Sequence, residues 1–217
     1  QSTATLFTAR SRRTTNTGTL AERHGGTLRG RITDTAGNPV SNAWVIVGSY
    51  DTFPADFDQP GVETVTDASG RYTLTNVQPG RSAVLVKSGP DSHLAWQWSG
   101  NAMQQSDAER LSFAYEQTTR FDAVLLPEAL LTVSAGAGLP GQYVTVDVVT
   151  ADGSWVGYHN EFGPGAPAVA IHGLPATAVA VQLHSAAGSF WYDRAATRDA
   201  AKVLSLSATT PTSIVVS

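Results

Sequence analysis

The chain has 217 residues, 41% of them apolar and 15% charged, with a formal net charge of -4, a balance that leaves no basic footprint for nucleic acid or an anionic membrane. Cysteine is absent, which excludes a disulfide framework and a thiolate zinc cluster, and no apolar run approaches the roughly 20 residues that span a bilayer. The 20 Gly and 11 Pro, set among many Thr, Ser and Val, predict an all-β chain of short strands and frequent turns.

Residues 1–27 form an arm that carries Arg10, Arg12, Arg13 and Arg23 and shows no sustained apolar face. Leu6 and Phe7 sit among β-branched Thr, a composition suited to an extended strand added to a sheet edge, in this chain or in a neighbour. Gln1 in place of an initiator Met predicts a leader already removed, and with it export to the cell surface or beyond; a shortened expression product would begin the same way.

From Leu28 the pattern sharpens. Leu28, Gly30 and Ile32 alternate into a strand that ends in the turn Asp34-Thr-Ala-Gly37-Asn-Pro39, where Asp, Gly and Pro each supply a turn preference. Ala43 to Val47 form the next strand, apolar on both faces. With Ala43, Val45 and Val47 toward the core, Trp44 and Ile46 point to the other side of the sheet and need a cover or a partner. The insertion from Gly48 to Gly61 contains Asp51, Asp56 and Asp58, weak Ca²⁺ candidates because the spacing lacks the Asp-x-Asp-x-Asp-Gly form.

Thr64 to Asp67 and Arg71 to Leu74 are joined by the Asp67-Ala-Ser-Gly70 hairpin. The Pro79-Gly80 corner then leads into the strand Ala83 to Val86. Trp96 and Trp98, two residues apart, share a face if the segment is extended, and Ser106 to Glu109 has capping-box spacing in too short a context for more than a turn. Leu126-Pro127-Glu128 is a short linker, so the flanking domains are expected to abut.

From Ala129 the same order recurs in weaker wording. Leu131 to Ala135 open it, Ala151-Asp-Gly153 marks a hairpin, and Val169-Ala-Ile171-His-Gly-Leu174 matches Tyr72-Thr-Leu74-Thr-Asn-Val77. Phe190-Trp191-Tyr192 matches the segment from Trp96 to Trp98, and Ile214 to Val216 match Phe121 to Leu125. Two copies of roughly 95 residues account for the pattern: domains at 28–126 and 129–217 behind the arm.

The phrases GRITDTAGNPVSNAWVIV and TVTDASGRYTLTNVQPG resemble the carboxypeptidase regulatory-like domain, over Leu28 to about Leu126. The resemblance implies two tandem prealbumin-like (Ig-like) β-sandwiches, the second degenerate, as in secreted bacterial and particularly actinobacterial surface proteins. Ser82 departs from it where an aromatic is common. The family's modules are mostly non-catalytic, which implies a structural or adhesive role. Related collagen-adhesin modules form Lys–Asn isopeptide bonds from a Lys on an early strand. Here Lys87 and Lys202 both fall late in their units, so no such bond is expected. The transthyretin-like hydrolases of this fold need a His and Arg set and a terminal Tyr-Arg-Gly-Ser that this chain does not carry, so that activity is expected to be absent.

Nothing in the residues points to catalysis. No Gly-x-Ser-x-Gly elbow occurs, and His24, His93, His159, His172 and His184 lack the His-Glu-x-x-His spacing. His172 and His184 are expected to be satisfied strand residues. Two non-enzymatic readings remain. One is a structural or adhesive surface protein, assembling into a filament by donating its N-terminal strand, with Leu6, Phe7, Trp44 and Ile46 as contact residues. The alternative is a carbohydrate-binding accessory module stacking sugars on Trp96, Trp98, Trp155, Tyr158 and Trp191. Neither requires a cofactor.

Overall fold

The computed structural model describes residues 24–48, 62–136, 144–151, 153, 155–163, 165–185 and 188–216, with only the backbone of 155–161. Leu6, Phe7, Asp51, Asp56 and Asp58 lie outside the described residues, and so do the side chains of Trp155 and Tyr158. The fold is all-β, with sheets in two regions and short 3-10 turns between strands.

The first region holds β1 (Gly26–Asp34), β2 (Trp44–Val47), β3 (Val62–Val65), β4 (Arg71–Val77), β5 (Gly80–Ser82), β6 (Val84–Lys87), β7 (Gln97–Trp98), β8 (Leu111–Phe113), β9 (Thr118–Arg120) and β10 (Ala123–Leu125). One sheet runs β10-β1-β4, with β9 also on β1; the other runs β3-β2-β6-β7, and β5 pairs β8. Period-two alternation decides what lies between the sheets. Leu28 and Ile32 from β1, Val45 and Val47 from β2, Tyr72 and Leu74 from β4, and Val84 and Val86 from β6 share one buried cluster.

The second region holds β11 (Ala129–Ala135), β12 (Val144–Thr150), β13 (Trp155–Phe162), β14 (Val169–Leu174), β15 (Ala178–Ser185), β16 (Gly188–Trp191), β17 (Leu204–Ser205) and β18 (Thr212–Val216). Its sheets run β14-β11-β18 and β13-β12-β15-β16, with β17 on β15. Leu131, Val146, Phe162, Ile171, Val181 and Leu183 belong to its separate core.

The pairings around the first strand of each region are alike. β1 is antiparallel to β4 and parallel to β9 and β10; β11 is antiparallel to β14 and parallel to β18. The register is irregular at the same place in both, between Gly26 and Leu28 and between Ala129 and Leu131. Opposite that point Asn76 and Gly173 both take left-handed backbone, at φ 60° and 75°. Leu74 and Val77 stand opposite Leu28 and Gly26 in the first region, and Ile171 and Leu174 stand opposite Leu131 and Ala129 in the second. The aromatic match narrows to Trp98 and Trp191, which bridge Ala102 and Ala195 respectively.

The turns form as their residues dictate. Asp34 accepts the N–H groups of Ala36 and Asn38 and the Asn38 side-chain amide. Asp67 accepts the Ser69 and Arg71 N–H groups and the Ser69 hydroxyl, while Gly70 takes φ 73°. Both carboxyls are held below their ordinary value, Asp34 chiefly by the Asn38 side chain and Asp67 chiefly by the Ser69 hydroxyl. A folded-state pKa below the unfolded one contributes stability that is present above the unfolded value and lost as pH falls through the folded value. The Asp34→Asn/Asp67→Asn double variant should therefore show a flatter dependence of unfolding midpoint on pH below about pH 4 than the parent chain. An equal slope in thermal melts would show that these caps add nothing.

Candidate functional site

The face of the first unit turned away from the core is where the sequence places Trp44 and Ile46. Ile46 is covered from within the chain. It packs with Ala83, Leu85, Trp98 and Ala102 in a small satellite cluster, flanked by Trp96 and Ala108. The cover stays down because Ser99 is tied to β6 and to the returning chain. Its N–H donates to the Val84 carbonyl, its hydroxyl to the Glu109 carbonyl, and it accepts the Val84 N–H. Against the expectation that Ile46 is an open contact residue and Trp98 a platform for a sugar, both side chains are buried, at 5% and 6% exposure.

Trp44 remains in the open. It stands opposite Val65 across the β2–β3 pair, and each is 46% exposed. β3 ends its sheet, with β2 as its one neighbour among the described residues. An apolar cross-strand pair beside an uncovered strand edge is a surface suited to another strand.

The remaining aromatics are partly occupied. Trp191 is half-buried at the end of β16. Trp96 carries the Lys87 ammonium 4.5 Å over its ring, and burial lowers the Lys87 pKa while the Glu63 charge opposes that shift. The Trp96 backbone N–H donates to the Gly173 carbonyl at 2.7 Å, across the boundary between the units.

That contact belongs to a seam along the linker. The Ala95 N–H donates to the Leu126 carbonyl at 2.8 Å, Leu94 bridges Pro127, and the Glu128 N–H donates to the His93 carbonyl at 3.0 Å. The Glu128 side chain, 7% exposed, sits where the seam meets β14. Its Oε1 lies 2.8 Å from His93 Nδ1 and 2.9 Å from His172 Nδ1, and its Oε2 accepts the Gly173 N–H at 2.6 Å. Burial works against ionisation of Glu128, but the Gly173 N–H and then the two imidazoles outweigh it, and the carboxyl is held below its ordinary value. The three donor atoms, two imidazole nitrogens and a carboxylate oxygen, all lie within 4.8 Å of one another. Sequence spacing hides this cluster, because the histidines stand 35 and 44 residues from Glu128.

Two other polar constellations stand out among the described residues. Arg29, Arg31, Arg71 and Arg120 surround a shallow basin of about 400 Å³ floored by Tyr72 and Asp122. Arg120 pairs with Asp122 at 2.8 Å, and burial, then the Asp122 charge, raises the pKa of the Tyr72 phenol, which donates to the Phe121 carbonyl. On β12, β15 and β16, His184 joins Asp147 at 2.8 Å through Nε2 and Ser189 at 2.7 Å through Nδ1. The Asp-His-Ser order is that of a hydrolase triad, but a nucleophile needs N–H donors converging above it. A strand directs its N–H groups sideways into the ladder, so this string works as a cross-strand tie.

Two sheets closed over one core, with the first strand flanked by an antiparallel neighbour and parallel later strands, define a β-sandwich module. Within that class, residues 27–125 match the family described as the carboxypeptidase regulatory-like domain. No curated protein matches the chain. Among solved structures, the chain is similar to the Bacillus anthracis TIE protein at 11% identity and TM-score 0.34, covering 90% of this chain and 34% of that one. It is also similar to a streptococcal ancillary pilin at 13% and 0.32, covering 84% and 62%. A third is the minor pilin of Streptococcus agalactiae at 10% and 0.33, covering 88% and 94%. The chain thus spans about a third and under two thirds of the first two, and at these scores the likenesses carry no inference about its role.

Gly173 is the tightest point of the seam. A Cβ there would lie 2.4 Å from Trp96 Nε1, and the backbone already sits at φ 75°. Gly173→Ala should cost at least about 1–2 kcal/mol from the left-handed backbone alone, and it should shift the Trp96 fluorescence. Unchanged denaturation and emission would show that the two units do not meet through this residue.

Proposed function

We propose that this chain is a non-enzymatic structural or adhesive module of a bacterial cell surface, which associates with copies of itself by giving its N-terminal strand to the open edge of a neighbour's β3. The observation that supports this most is the Trp44–Val65 pair, apolar and exposed beside an edge strand with one neighbour among the described residues. An extended segment added there gains main-chain hydrogen bonds from the edge and apolar contact from the pair. The arm has the matching composition, with Leu6 and Phe7 set among Thr. The carboxypeptidase regulatory-like domain at 27–125 agrees with a module that holds and spaces. We also infer that 129–217 is a diverged second copy, on the correspondence of its strand pairing with the first. The carbohydrate reading is weaker, since Trp98 is spent on the chain's own core.

Deleting residues 1–24 tests the proposal by sedimentation velocity and electron microscopy over a concentration series. The full chain should self-associate, the shortened chain should stay monomeric with the same circular dichroism, and Trp44→Ala in the full chain should weaken assembly. Equal assembly with and without the arm, or a full chain that stays monomeric, overturns it. Retention of the shortened chain on glycan arrays, lost in Trp191→Ala, would move the assignment to sugar binding.

A further inference from the structure

We propose that His93, Glu128 and His172, brought together from the first unit, the linker and β14, form a Zn²⁺ site that staples the two units to each other.

The donor set selects the metal. Two imidazole nitrogens and one carboxylate oxygen suit Zn²⁺ and its late first-row neighbours, whereas Ca²⁺ and Mg²⁺ take oxygen ligands. Three protein ligands with water in the fourth position is a common tetrahedral zinc arrangement. The exposures place that water. Glu128 is shielded at 7% and His172 partly so at 30%, while the His93 side chain is 72% exposed and forms the solvent side of the site.

The ligands are held before any metal arrives. The Gly173 N–H on Oε2 fixes the carboxylate plane and leaves Oε1 turned to the histidines, the kind of outer-shell bond that orients a metal ligand. His93 is set by its left-handed backbone at φ 53° and by the Glu128 N–H on its own carbonyl. Zinc bonds of 2.0–2.2 Å put tetrahedral donors about 3.3 Å apart. The present separations of 2.8 and 2.9 Å from Oε1 therefore open by about half an ångström, the first by movement of the solvent-facing His93 ring and the second by adjustment of the partly exposed His172 ring.

The proton account closes. A carboxylate only accepts hydrogen bonds, so each Nδ1 facing Oε1 carries the proton. When the metal takes the Nδ1 lone pairs, a neutral ring carries its proton on Nε2, and a ring protonated on both nitrogens releases one to water. Because the three ligands come from different parts of the chain, only the docked arrangement presents them together, and bound metal stabilises that arrangement by mass action.

The test uses the untagged full chain, stripped with EDTA and titrated with ZnCl₂ by calorimetry and by competition with a chromophoric chelator. One equivalent should bind with micromolar or tighter affinity and raise the unfolding temperature. His93→Ala, at an exposed position that leaves the core untouched, and His172→Ala should each weaken binding at least tenfold and abolish that rise, while His184→Ala should bind as the parent does. Absence of saturable binding, undiminished binding by folded His93→Ala, or loss of binding in His184→Ala overturns the proposal.

Discussion

The buried carboxylate of Glu128 fixes how the two halves of this chain meet. A charge taken out of water is costly unless it is hydrogen-bonded, and here the partners come from three places: His93 from the first unit, His172 from the second, and the Gly173 backbone beside it. Separating the units would take the His172 and Gly173 partners away from this carboxylate. The linker works in the same direction, because it is bonded along its length to residues 93–95 and so acts as an extra strand between the units. Trp96 closes the seam by lying over the bare Cα of Gly173.

The outer face of the first unit follows from a different constraint. β2 is apolar on both sides, and a sheet that buries one face on its core must cover or expose the other. The chain does both. The excursion from Ser88 to Glu109 folds back so that Trp98 and Ala102 cover Ile46, while Trp44, two residues away on the same face, is left beside the β3 edge. Among the described residues this face is therefore divided between covered Ile46 and exposed Trp44.

Much of this was legible in the residues. Alternation gave the inward faces of β1 and β2, because period two leaves little freedom once one side is buried, and Asp, Gly and Pro placed the turns. In register the two regions are alike at one place: Leu74 and Val77 stand opposite Leu28 and Gly26, and Ile171 and Leu174 stand opposite Leu131 and Ala129, each across an irregularity. The cover over Ile46 was not legible, because only Gln97 and Trp98 in that excursion form a strand and the rest is irregular turn. Nor was the Glu128 cluster, since residues 35 and 44 positions apart leave no local pattern. One trace was present. Where the first region has Asn76 in left-handed backbone, the second has Gly173 directly after His172, and the bare Cα leaves room for the Trp96 indole.

The parallel partnership of first and last strands has a mechanical meaning. In the second unit β11 and β18 run side by side in the same direction over five registered pairs. Tension drawn between the start of β11 and the end of β18 slides one strand along the other, so these hydrogen bonds share the load at once and do not open one after another. The first unit places β9 and β10 beside β1 in the same sense. A tether built of such units resists stretching along its length far better than peeling from the side.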